Sequence, residues 1–421
     1  MLKKIVFTLS CLNLANALTL QEAIDLTLKS SHTLKEQEYL LEEKELNYKS
    51  EQSPFYPKLN IYYTTVENKQ ENSRGKNRAI TFQGSVSYNL FNGMRDYFDL
   101  LSAKSLLEAQ EYKLESTKED LILEVKQAYI NILRQKQNLI VAEESKALLR
   151  QQRKESKDFF EVGFIPKNDL LKVEVELTNS IQNHLAAKSN LAYALKALER
   201  YTRSPVRIED ILEIPLNTPI LEESMLKETM YKKRSELLYA NKVLESKGYL
   251  IKSAKGAFLP RLVATGDYYR YSDDFNLKAR ENVAYSDAGN VTLEARFNLF
   301  NGFLDKNNLE SKRVNRLAYQ SQRISLIEKM DLQLFSELEN YNLALNAYKV
   351  AKYSLKQAEE NYRISQNRYK ERIQSTSDFL DAEYLLTRAR SKVILTRYAI
   401  VESLAKIERI TQTNYQNNLS D

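Results

Sequence analysis

The chain repeats itself at half its length. Asn89-Leu90-Phe91-Asn92-Gly93 returns 209 positions later as Asn298-Leu299-Phe300-Asn301-Gly302. The same offset carries the seven-spaced series Leu170, Leu177, His184, Leu191 and Leu198 onto Phe379, Leu386, Val393, Ile400 and Ile407. Upstream, Pro57-Lys58-Leu59 returns as Pro260-Arg261-Leu262 at an offset of 203, so a loop between the two marks differs in length by a few residues. Internal similarity of this kind means two copies of one supersecondary unit. Pro205, Pro215 and Pro219 forbid a continuous helix where the copies join. We therefore expect a first repeat over 18–210 and a second over 211–421.

Within each repeat the hydrophobic period changes. Ile80, Phe82, Gly84, Val86, Tyr88 and Leu90 alternate with Thr81, Gln83, Ser85, Ser87 and Asn89, a period of two that marks a strand with one apolar face. Val291, Leu293, Ala295, Phe297 and Leu299 alternate in the same way with Thr292, Glu294, Arg296 and Asn298. Each has an upstream partner rich in Tyr and Thr, which predicts one hairpin over 58–90 and another over 261–300. Strands of about 9 to 11 residues cross a bilayer when tilted. Four strands do not close a barrel, and an open sheet edge is not tolerated in lipid. If these hairpins span a membrane, several chains must share one barrel.

The remainder reads as helix. Only 9 Gly and 7 Pro punctuate 421 residues; neither occurs between Gly93 and Gly163 or after Gly302. Long helices are expected over 94–160 and 303–372, each reaching about 100 Å at 1.5 Å per residue. Leu100, Leu107, Leu114, Leu121, Ala128, Ala142 and Leu149 lie on one seam of the first, and Ile327, Leu334, Tyr341, Tyr348, Leu355, Tyr362 and Tyr369 on one seam of the second. Such sevenfold seams pack as coiled coils. Shorter helices are expected over 167–201 and 377–413, with one helix ahead of each hairpin, over 20–51 and 221–255.

Lys3 and Lys4, the apolar run from Ile5 to Leu14 and the small-x-small Ala15-Asn16-Ala17 read as a secretory signal over 1–17. Cys11 lies inside it, and Thr8-Leu9-Ser10 departs from the leucine-then-small pattern that precedes an acylated cysteine. One Cys and two His leave no structural zinc site, iron–sulfur cluster or disulfide framework. His32 and His184 read as structural. With no nucleophile triad, phosphate loop or metal spacing, neither an enzyme nor a cofactor is expected. A net charge of +6 without a basic block argues against nucleic acid.

Two helix starts carry the remaining signals. Val162-Gly163-Phe164-Ile165-Pro166 turns the chain, with Asn168 and Asp169 at the next helix. Asp378-Phe379-Leu380-Asp381 opens the last helix and places two carboxylates on one face, where they complement the helix dipole.

Signal, duplication, Pro57-Lys58-Leu59 and Pro260-Arg261-Leu262 strand openings, Asn-Leu-Phe-Asn-Gly strand exits and these tips, in this order, resemble the TolC-type outer-membrane efflux and secretion channels. The resemblance implies a fold that is mainly α with a membrane β-barrel contribution. Three chains, a homotrimer, contribute four strands each to a twelve-stranded barrel, and long coiled-coil helices form a periplasmic tunnel. It implies a place among the lipids of the outer membrane of a Gram-negative bacterium. The implied function is a passive exit duct of a tripartite efflux pump or type I secretion system, opened by a periplasmic adaptor and an inner-membrane transporter. By the same resemblance Asp378 and Asp381 form the acidic constriction. Asp169, Tyr369 and Gln374 match gate-latch positions, with Gln374 standing where the pattern has an arginine. Val162, Gly163, Phe164 and Ile165 match the tip that meets the adaptor. The rival is an exported coiled-coil structural or adhesive protein with a soluble strand cap.

Overall fold

The computed structural model describes residues 18–68, 77–272, 275, 277, 278 and 286–415; the expected signal segment, with Cys11, lies outside them. Helices α1 (Leu20–Ser30) and α2 (His32–Ser50) lead to strands β1 (Lys58–Asn68) and β2 (Asn77–Asn92). Helices α3 (Arg95–Glu161) and α4 (Lys167–Thr202) follow. The second set is α5 (Glu223–Lys233), α6 (Ser235–Lys255), β3 (Arg261–Ser272), β4 (Asp287–Arg296), α7 (Leu304–Lys370) and α8 (Thr376–Thr411). α3 and α7 have 67 residues each, and α4 and α8 have 36 each. No described helix is long and apolar enough to cross a membrane.

The leading helix of each repeat is broken, which neither glycine nor proline announces. Ser31 (ψ 124°) separates α1 from α2, and Arg234 (ψ 114°) separates α5 from α6. These positions differ by the same 203 residues as the strand openings, so the kink belongs to the repeated unit. Side chains stabilise it: the Ser31 hydroxyl accepts from the Leu34 amide at 3.2 Å, and Arg234 donates to Gln333 at 2.7 Å.

The chain divides into two compact units, with α3 and α7 contributing to both. One, residues 36–114 and 235–327, holds all four strands in a single antiparallel sheet ordered β1-β2-β3-β4. The two hairpins are thus joined through β2 and β3. Cross-strand register keeps the alternation in phase across the sheet. Leu59, Val86 and Gly266 fall on one face with Val291, and so do Ile61, Gly84 and Tyr268. The opposite face carries Asn60, Ser85, Asp267 and Asn290 in one row. There Gln83 donates to the Asp267 carboxylate at 3.0 Å and to the Tyr269 hydroxyl at 3.2 Å. The apolar face is uncovered within the chain: Val291 is 90% exposed and Ile61 75%. A bulge between Asn89 and Phe91 lets β2 run to Asn92, beyond the expected end at 90. β4 stops at Arg296, short of the expected 300, because its partner β3 begins opposite it at Arg261.

The strands meet the helices at a close backbone crossing. Gly93, at φ +63°, lies against Gly256, and a Cβ built on either residue would meet backbone atoms of the other.

The other unit comprises residues up to Lys35, Glu115–Arg234 and Glu328 onward. Its core gathers Ala23, Ile24, Val125, Tyr129, Leu133, Leu198, Val206, Tyr398 and Val401. Tyrosines fasten the segment between repeats. The Tyr129 hydroxyl lies 2.8 Å from the carbonyl oxygens of Leu18 and Leu212 and accepts from the Leu212 amide at 3.0 Å; burial pushes this phenol up to about 12. Tyr398 donates to Glu213 at 2.7 Å and Tyr341 to the Pro219 carbonyl at 3.0 Å. Buried hydroxyls need such partners, which is why tyrosine rather than phenylalanine stands where linker carbonyls lack a ladder.

Candidate functional site at the helix tips

The turn after α3 is a helix C-cap of the Schellman type. The Phe164 amide donates to the Phe159 carbonyl at 2.8 Å, and the Gly163 amide to that of Phe160 at 2.9 Å. Gly163 takes φ +77°, and a Cβ there would meet nothing within 4 Å, so backbone conformation alone selects glycine. Val162 and Phe164 are exposed; Ile165 is half-buried.

The turn after α7 repeats the cap: the Ile373 amide donates to the Arg368 carbonyl at 2.8 Å and the Arg372 amide to that of Tyr369 at 3.0 Å. Here the left-handed position, φ +64°, belongs to Arg372, 209 residues after Gly163. A side chain in that conformation costs about 1–2 kcal/mol. Its guanidinium lies 3.6 Å from the centre of the Phe164 ring and 5.3 Å from that of Phe159. At an exposed site this contact returns about 0.5–1 kcal/mol, which offsets the strain without exceeding it. Arg372 therefore joins the two tips of one chain at little net stability.

Helix α8 starts from Ser375, whose hydroxyl accepts from the Asp378 amide at 3.1 Å. Thr376 and Phe379 turn into the interior, which leaves Asp378 and Asp381 exposed on the opposite side of the helix. Asp381 borders a groove of about 550 Å³ between α4 and α8, lined also by Leu171, Lys172, Val175 and Tyr384.

The three residues matched to a latch are not gathered into one cluster within the chain. Asp169 pairs with Lys172 of its own helix at 3.1 Å. Tyr369 is 3% exposed, its hydroxyl 3.0 Å from that of Ser156 and its ring against Phe379 and Phe159. Gln374 donates to the Ser365 hydroxyl at 3.2 Å. A side-chain hydrogen bond between the tips comes instead from Lys172, which also donates to the Ser377 hydroxyl at 3.0 Å. Neither contact was assigned from the sequence, where Arg372 shows only as the non-glycine aligned with Gly163 and Lys172 only as the cation three residues after Asp169.

Farther along, the buried Glu383 accepts from the hydroxyls of Ser145 at 2.6 Å and Thr387 at 2.9 Å, tying α8 to α3. Beside it Arg390 pairs with Glu144 at 2.8 Å. Burial, and after it the Glu383 carboxylate, raises the Tyr362 phenol above its ordinary range. The tips thus combine solvent-facing carboxylates, an exposed aromatic turn and a buried polar seam.

The family described as outer membrane efflux protein matches residues 23–202 and 228–412, one match in each repeat. Outer membrane protein TolC of Vibrio cholerae is 22% identical over 382 residues, which cover 88% of this chain and 85% of that protein. The Campylobacter jejuni CmeC outer membrane channel superposes with a TM-score of 0.82 at 19% identity, covering 95% of this chain and 88% of that one. The open state of the Neisseria gonorrhoeae MtrE outer membrane channel gives 0.80 at 18% identity, covering 94% and 89%. The match does not favour the coiled-coil adhesive alternative. The chain belongs to the outer membrane efflux protein family, Gram-negative outer-membrane channels that extend into the periplasm.

Proposed function

We propose that three copies of this chain close one twelve-stranded barrel in the outer membrane and continue it as a helical tunnel, forming the exit duct of a tripartite efflux pump or type I secretion system. The observation that carries this reading is the sheet, with an uncovered apolar face over four strands, a polar face behind it, and β1 and β4 without outer neighbours among the described residues. Unpaired backbone groups in hydrocarbon cost several kcal/mol each, and the smallest membrane barrels need about eight strands. Further copies supply both the missing strands and the missing hydrogen bonds.

The duct is passive. An inner-membrane transporter supplies the energy, and a periplasmic adaptor meets the tip at Val162, Gly163, Phe164 and Ile165. Asp378 and Asp381 from three copies surround one axis, where like charges repel and cations are attracted. With Gln374 at the expected arginine position, Asp169, Tyr369 and Gln374 contribute to a latch held by hydrogen bonds rather than by an ion pair.

Planar-bilayer recording of the purified protein tests the reading. The wild-type protein is expected to conduct and to be blocked by divalent cations from the tip side. Asp378→Asn with Asp381→Asn is expected to weaken that block about tenfold, since the charge that concentrates the cation is gone. Absence of any conductance would remove the duct, whereas an unchanged block would remove only the acidic constriction.

A further inference from the structure

We infer that Lys252, Lys255 and Arg316 form a binding site for a phosphate group, in a groove of about 420 Å³ between α6 and α7. Glu245, Gly248, Tyr249 and Ile251 complete the lining, and all of it belongs to the unit that holds the sheet. Lys255 closes α6 shortly before β3 opens at Arg261, so the site lies at the end of α6 that meets the strands.

The duplication shows how the site arises. At the offset of 203, Glu45 and Lys49 of α2 correspond to Gly248 and Lys252 of α6. In the first repeat these two residues stand one turn apart and pair at 2.6 Å. In the second the carboxylate is gone and the lysine stays. The same offset carries Gln52 onto Lys255, and the offset of 209 carries Leu107 of α3 onto Arg316 of α7. With Glu42, Glu45 and Lys49 the first set has one net negative charge; with Glu245, Lys252, Lys255 and Arg316 the second has two net positive charges. Three replacements at one place in the repeated unit therefore all move its charge in the same direction.

The glycine needs a reason, because glycine weakens a helix interior and Gly248 does not hold a positive φ. A Cβ built there would meet only the Arg316 Nε, at the ordinary distance of 3.9 Å, so packing does not exclude a side chain. What glycine removes is the acid that would neutralise Lys252. The Lys252 ammonium lies 5.3 Å from the centre of the Tyr249 ring and 5.6 Å from that of Phe98, contacts that place it without cancelling its charge. Among the described residues no carboxylate pairs with Lys252, Lys255 or Arg316. Glu245, the one acid of the lining, is taken up by Lys242 at 3.0 Å and by the Tyr249 hydroxyl, which donates to it at 3.4 Å. Two ammonium groups supply point charges and a guanidinium supplies a planar pair of donors, a combination that suits the oxygens of phosphate. The phosphate has two sources, the headgroup of an anionic lipid or a free phosphorylated solute.

Isothermal titration of the detergent-purified protein separates them with two probes, inorganic pyrophosphate and short-chain phosphatidylglycerol, the second compared with phosphatidylcholine of equal chain length. Saturable binding of pyrophosphate supports the site and assigns it to free phosphate. Binding of phosphatidylglycerol in preference to phosphatidylcholine, without binding of pyrophosphate, supports the site and assigns it to a lipid headgroup. Gly248→Glu rebuilds the ion pair of the first repeat, and Arg316→Gln removes the planar donor; each is expected to weaken binding about tenfold. Gly248→Ala strengthens the helix, leaves the charges in place and is expected to bind like the wild type. No saturable binding of either probe overturns the site, as does equal binding of the two lipids without binding of pyrophosphate. Gly248→Glu binding like the wild type, or Gly248→Ala losing as much as Gly248→Glu, overturns it as well.

Discussion

Gly256→Ala is expected to destabilise the folded protein by about 3 kcal/mol, because the added methyl falls on backbone atoms, which cannot swing away, as well as on the base of a side chain. The atoms it would meet are the carbonyl group of Gly93 and Cγ of Arg95. Gly256 does not hold a positive φ, so this substitution isolates the cost of close approach. Gly93→Ala adds a left-handed alanine to the same collision and is expected to cost about 4–5 kcal/mol. Gly163→Ala has the left-handed backbone in open space, and about 1 kcal/mol is expected there. Thermal unfolding of the three variants in detergent checks the order. Equal effects for Gly256→Ala and Gly163→Ala would mean that the backbones at the strand–helix junction are not in contact.

The second large effect separates the faces of the sheet. Val291 stands near the middle of β4 on the apolar face, opposite Gly266, and Thr292 is its neighbour on the polar face. Val291→Arg places a cation against the hydrocarbon midplane and is expected to cost about 2–4 kcal/mol of folding in lipid. Thr292→Arg turns the same charge into water, so folding is expected to survive while ion selectivity moves toward anions. The fraction of each variant recovered folded in outer-membrane preparations measures the difference. If Thr292→Arg were the one lost and Val291→Arg tolerated, the assignment of lipid and lumen faces would be reversed.

Much of this architecture is readable from residue patterns, for physical reasons that differ between elements. Period-two alternation located the strands because a pleated sheet between lipid and water must sort its side chains by face, as Thr81, Gln83 and Ser85 show. The absence of Gly and Pro after Gly302 located α7 because nothing interrupts its hydrogen-bond ladder. What stayed hidden depends on tertiary partners. The breaks at Ser31 and Arg234 use residues that are common inside helices and are stabilised by the Leu34 amide and by Gln333. The union of the hairpins through β2 and β3 follows from no local turn, since over a hundred residues of helix separate them. At the tips the acidic pair and Gly163 were legible from helix-end chemistry. Lys172 and Arg372 were not, because their roles come from Ser377 and Phe164, each about two hundred positions away in sequence.

A sheet of four strands is too narrow to seal itself. Native mass spectrometry of the detergent-extracted protein measures the remedy directly. The shared barrel predicts a single species with three times the mass of one chain, and a folded species of one chain in the same detergent would contradict it.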